Sequence, residues 1–102
     1  MSAVNEHLNI LNIAIGRADD AKTMAGIGSE ATLGQAEKLI IDLRDSVARL
    51  PWSQDEEFQD IIEAADDILD EFKTESRSNW LVGAIADLVS IIEDLRDELY
   101  NG

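Results

Sequence analysis

The residues of this chain that could carry chemistry are mostly carboxylates. Residues 55–71 hold nine of them and not one Lys or Arg. A carboxylate pair can act as general acid and base when burial sets the two pKa values apart. Here the acids alternate with apolar residues at helical spacing, which places them on the water-facing side of a helix without a pocket. Calcium loops need spaced oxygen ligands around a central Gly, and residues 67–78 do not supply them.

Other reactive side chains are few. The chain has no Cys, which excludes a cysteine nucleophile, a thiolate metal site and a disulfide. The single histidine, His7, shares a helix side with Leu11 and Ala14, so we expect a satisfied core residue rather than a ligand. A di-iron bundle would need Glu-x-x-His pairs on facing helices, and the chain has none. We predict no enzymatic activity, no cofactor and no metal.

The elements that position these residues are helices, because apolar residues recur at spacings of three and four throughout. The pattern predicts four helices, over residues 3–24, 33–50, 54–73 and 79–100. Side chains suited to cap or stop these helices are Ser2, Ser29, the pair Thr32 and Gln35, the pair Ser53 and Glu56, Ser76 or Ser78, Gly26, Gly28 and Pro51.

Short links between helices favour antiparallel neighbours. We therefore predict an all-α fold, a compact bundle of four antiparallel helices in which residues 1–102 form a single domain. An orthogonal packing or an intertwined dimer of hairpins has the same apolar pattern and stays open at this point.

The negative charge is uneven along the chain. The formal net charge is −14, of which residues 1–50 contribute −2 and residues 51–102 contribute −12. Direct binding to nucleic acid or to an anionic membrane needs a basic footprint, so we expect neither. The most apolar stretch, residues 80–92, contains Asp87 and is too short for a membrane span. The first residues lack the pattern of a signal peptide, and we expect a cytoplasmic protein.

The third helix suggests a function. A solvated face is the usual explanation of a charge run, but like charges at i,i+4 destabilise a helix, and mixed charges would keep it soluble equally well. We predict that this face docks onto a basic partner, a nucleic-acid-binding protein or complex. The residues predicted to bind the partner are Trp52, Glu56, Glu57, Asp60, Glu63, Asp67, Asp70 and Glu71.

Apolar residues next to the acids and elsewhere offer a second interpretation. Trp52 could pack or project, whereas we expect Trp80 in the core. Ile13 lies off the main stripe of the first helix, and Val82 and Val89 form a second stripe on the last. This surplus indicates a central buried helix or an oligomer interface. The alternative function is therefore a self-associating helical adaptor or structural subunit, with a homodimer as its simplest form.

In size, acidity and helix content the chain is similar to the small acidic proteins that phages and mobile elements use against host nucleases. It is also similar to toxin-neutralising immunity proteins. The similarity implies an inhibitor that covers a nucleic-acid-binding surface.

Overall fold

The computed structural model describes residues 3–73 and 78–101. Within these ranges the chain forms four α-helices and no strand: α1 (Ala3–Ile27), α2 (Glu30–Ala48), α3 (Glu56–Lys73) and α4 (Ser78–Asn101). The predicted all-α class and the four helices are confirmed. The predicted caps Ser2 and Ser76 lie outside the described residues.

The link between α1 and α2 is shorter than predicted. Gly28 adopts a φ of 77°, the left-handed conformation that ends many helices and favours glycine. Ser29 then caps α2, because its Oγ accepts a hydrogen bond from the Thr32 backbone N–H at 3.1 Å while Thr32 Oγ1 accepts one from the Ser29 N–H at 3.0 Å. The second helix therefore begins at Glu30, at the earlier of the two starts that the sequence offered.

The link between α2 and α3 folds around Trp52. The second helix ends at Ala48 with Arg49 as its C-cap, shortly before Pro51 as the proline rule requires. The Asp55 N–H donates to the Trp52 carbonyl, and the Gln59 N–H donates to the Asp55 carbonyl in the first hydrogen bond of α3. The third helix begins at Glu56, two residues after the predicted start at residue 54. The predicted cap Ser53 is buried and lies before the helix.

The four helices form a ring around one core. Each helix packs beside the one before and the one after it, and α1 also packs beside α4; among the described residues the backbones of the diagonal pairs, α1 with α3 and α2 with α4, do not come close. The molecule measures 42 × 20 × 17 Å, and helices of 18 to 25 residues span about 27 to 38 Å at 1.5 Å per residue. The helices therefore run along its long axis.

The core consists of aliphatic residues and Phe58. Its α1 stripe is rich in alanine, with Ala14, Ala18, Ala21 and Ala25 all buried. Small side chains at a helix contact let the two axes approach closely, and α1 makes the most extensive contacts of the bundle, with α2 and α4. The contact between α3 and α4 is the least extensive. No helix in the described part of the chain is long and apolar enough to cross a membrane.

Candidate docking surface

The carboxylates of α3 lie outside the bundle because its apolar stripe is turned inward. Phe58, Ile61 and Ala65 are buried, and this leaves the opposite arc to the acids. Of the predicted partner-binding acids, Glu71 is half-buried and the others are exposed: Glu56, Glu57, Asp60, Glu63, Asp67 and Asp70. The structure thus brings the predicted acids together on the surface of one helix.

Asp66 differs from the rest of the row because it is turned toward α2. Its Oδ1 lies 2.9 Å from Arg44 Nε, and Arg44 Nη1 lies 3.3 Å from Asp45 Oδ1. The hydrogen bond with Asp66 and the attraction of its charge raise the pKa of Arg44 above its ordinary value. With side-chain exposures of 35% and 49%, this pair adds less than about 1 kcal/mol to stability. Its effect is to hold α2 against α3.

The fourth helix extends the acidic surface. Four carboxylates, two from each helix, surround an apolar floor in the groove between α3 and α4, which encloses about 160 Å³. The lining residues are Glu57, Asp60, Ile91, Asp94, Leu95 and Glu98. Asp94 and Glu98 are not among the residues predicted from the sequence. The sequence feature that could have identified Asp94 and Glu98 is their helical spacing from Asp87, which places all three acids along one polar stripe of α4.

Trp52 packs against the core more than it projects. Its ring stacks on His7 with centroids 4.0 Å apart and an interplanar angle of 23°, and the Trp52 backbone N–H donates to His7 Nε2 at 3.2 Å. The half-buried Trp52 therefore joins the α2–α3 link to α1. His7 is fully buried, with its edge against Phe58 at 5.3 Å, which confirms a satisfied core histidine.

Trp80 corrects a prediction. We expected it in the core, but its side chain is 51% exposed. It lies in the first turn of α4, one position away from the buried Leu81. Successive residues of a helix differ by 100° in direction, so burying Leu81 turns Trp80 to the edge of the core. Of the two tryptophans Trp80 is the exposed one, whereas the sequence analysis expected Trp80 in the core and included Trp52 among the partner-binding residues.

The apolar surplus is mostly used inside the bundle. Val89 is buried and Val82 is half-buried against the core. A Cβ added at Gly26 would lie 3.8 Å from Val82 Cγ2, so this second stripe of α4 packs on α1. Ile13 is 41% exposed and keeps its place outside the core stripe. Three residues suggested an oligomer interface: Ile13, Val82 and Val89. Of these three, only Ile13 is exposed.

The chemistry of the surface is that of charge and apolar contact. Within the described residues no group of three or more His, Cys, Asp or Glu side chains is arranged to hold a metal ion. Comparison of the chain with known protein families, curated proteins and solved structures finds no match. The candidate site is therefore defined by the positions of the chain's own residues.

Proposed function

We propose that this protein is a non-enzymatic inhibitor that docks the acidic side of its bundle onto the basic surface of a nucleic-acid-binding protein. The observation that carries the proposal is the segregation of charge. The adjacent helices α3 and α4 together hold thirteen carboxylates and two basic residues. Helices α1 and α2 together hold seven carboxylates and four basic residues. One long side of the bundle thus has most of the negative charge.

The cost of this arrangement favours a role in binding. Glu56–Asp60, Glu63–Asp67 and similar i,i+4 pairs on α3 destabilise the helix by about 0.2–0.5 kcal/mol each. Basic residues at half of these positions would remove the repulsion and keep the protein soluble. A one-signed surface, in contrast, steers a basic partner into the right orientation and speeds association.

The spacing of the acids suits a surface that binds nucleic acid. Residues three or four apart on α3 are separated by roughly 4.5–6 Å along the helix axis, and a nucleic-acid strand carries one charge every ~3.4 Å. A Lys- and Arg-lined cleft built for phosphates would meet a comparable row of negative charges on α3. This chemistry fits an anti-defence protein of a phage or mobile element, or an immunity protein against a nuclease.

The test is capture followed by competition. The immobilised protein is exposed to lysate of its host and eluted with a salt gradient, and the retained protein is then titrated with double-stranded DNA. We expect a basic protein that elutes at moderate salt, since salt screens the charges, and that DNA displaces from the immobilised chain. Binding that DNA does not affect would contradict the proposal.

A pair of charge-matched variants locates the surface. Glu63→Lys/Asp67→Lys/Asp70→Lys reverses three exposed acids of α3, and Glu6→Lys/Asp20→Lys/Glu30→Lys reverses three exposed acids of α1 and α2. Both variants have the same net charge, and far-UV circular dichroism checks that both fold. We expect the first to lose the partner and the second to retain it. Equal losses would show that net charge alone governs binding.

Self-association is the second candidate, and it rests on the exposure of Ile13. In the capture experiment it predicts that the immobilised chain retains free copies of itself and no basic protein. Light scattering supplies the independent measurement. A monomer at tens of micromolar would count against the adaptor, because a stable homodimer needs an apolar interface.

A further inference from the structure

We infer that the groove between α3 and α4 is the docking site and that its occupant is a basic amphipathic helix of the partner. The inference deepens the proposed function and rests on it. The α3–α4 groove has an apolar floor, Ile91 and Leu95, between carboxylates of both helices. An apolar strip with negative walls is complementary to a helix that has one apolar stripe flanked by Lys and Arg.

The side of α4 that lines the groove continues along the helix to Trp80. The residues Trp80, Ala84, Asp87, Ile91 and Glu98 follow one another at spacings of three, four and seven, so they share one side of the helix. Trp80, Gly83, Ala84 and Asp87 line a separate depression on the surface of α4. The exposed tryptophan therefore lies at one end of the stripe whose other end forms the floor and wall of the α3–α4 groove.

The packing of the bundle is loosest beside this groove. The half-buried residues that α3 and α4 pack against the core include two small ones, Ala64 and Ala84. This is also the helix pair with the least extensive contact. From Trp80 to Glu98 the stripe measures about 27 Å, the length of a helix of about 18 residues. A partner helix of about five turns would match the length of this stripe.

Trp80 is the expected anchor of the complex. Tryptophan is enriched among the residues that dominate binding energy, since it buries a large apolar area when a partner covers it. The carboxylates Asp60 and Asp94, one from each wall, would pair with basic residues on either side of the apolar stripe. Their contribution is to orientation and association rate more than to lasting affinity.

The test uses two synthetic peptides of about 18 Leu and Lys residues, the length that spans the stripe. In the first the leucines form one helical stripe; the second has the same composition with the leucines spread around the helix. Binding to the full chain is measured by calorimetry at low and moderate salt. We expect the amphipathic peptide to bind roughly tenfold or more tightly than its isomer, because only its apolar stripe can enter the groove.

Substitutions test whether the amphipathic peptide binds in the α3–α4 groove. Trp80→Ala should weaken binding of the amphipathic peptide roughly tenfold, as for an interface tryptophan, whereas Tyr100→Ala removes the 77% exposed aromatic residue at the other end of α4 and should change little. Asp60→Asn/Asp94→Asn should weaken binding more than Asp20→Asn/Asp42→Asn. The latter pair lies across the groove between α1 and α2, which Lys38 also lines.

The outcomes separate this inference from the proposed function. Equal binding of the two peptides, or equal losses in the two aspartate pairs, would overturn the groove while leaving a charge-driven docking surface on α3. If neither peptide binds even at low salt, the groove is overturned, and the capture and DNA-competition experiment decides the proposed function independently.

Discussion

The contact between His7 and Trp52 offers the sharpest test of how the bundle is held together. His7 is fully buried, and its Nε2 accepts the Trp52 N–H, so the ring is neutral with its proton on Nδ1. Phe at this position keeps an aromatic ring on Trp52 and Phe58 but removes the acceptor. Leaving a backbone donor in a protein interior without its partner costs roughly 1–3 kcal/mol.

For His7→Phe we expect the lower part of that range, since Trp52 is half-buried and water can reach its surroundings. A loss of roughly 1–2 kcal/mol lowers the Tm of a domain of this size by roughly 5–15 °C. His7→Ala also removes the ring that stacks at 4.0 Å on Trp52, so its cost should rise to about 3–5 kcal/mol, as for other large-to-small core changes.

The assay is thermal and urea unfolding followed by far-UV circular dichroism. In a Trp80→Phe background, the fluorescence of Trp52 reports on the link itself. Asn9→Ala is the control, because Asn9 is exposed on the same helix and should change stability by less than about 0.5 kcal/mol. If His7→Phe is as stable as Asn9→Ala, the hydrogen bond does not hold the link. If His7→Ala is no worse than His7→Phe, the stacked ring does not stabilise the fold.

The remaining predictions concern the helix ends and are tested in the same unfolding assays. Gly28→Ala should lose about 1–2 kcal/mol, because Gly28 has a φ of 77° that costs other residues this much, whereas Gly16→Ala, in open space inside α1, should gain about 0.5–1 kcal/mol. A loss at both positions would contradict the assigned end of α1. Ser29→Ala should lose about 1 kcal/mol through the missing cap, and an unchanged Tm would place the start of α2 elsewhere.

Much of the fold could be predicted from the sequence because helices are specified locally. The stripe through Phe58, Ile61 and Ala65 predicted both α3 and its buried side, and the acids between these residues had to face water. The predicted helix ends were less accurate where two neighbouring residues could each act as the cap. Ser29 and Thr32 both resemble caps, and the structure uses them together, with Ser29 as the cap and Thr32 in the first turn. Ser53 resembles a cap but is buried before α3.

The candidate site could be predicted only in part. The acids of α3 are visible as one run, whereas Asp94 and Glu98 join them because α4 lies beside α3. The two tryptophans show the same limit. Trp52 lies in the link between α2 and α3, and Trp80 lies beside the apolar stripe of α4, so neither position fixes burial by helical periodicity alone. His7, 45 residues away, draws Trp52 inward, whereas the inward orientation of Leu81 leaves Trp80 at the surface.

The sequence by itself determined four amphipathic helices, their buried stripes and the concentration of acids in the second half of the chain. These properties depend on residues within a few positions of each other, which the 3.6-residue period relates directly. The tertiary structure decided which helices are neighbours. That choice combined the carboxylates of α3 and α4 into one surface, opened a groove with an apolar floor between them and left Trp80 exposed on the same side of α4, because contacts between distant residues arise only when the helices pack.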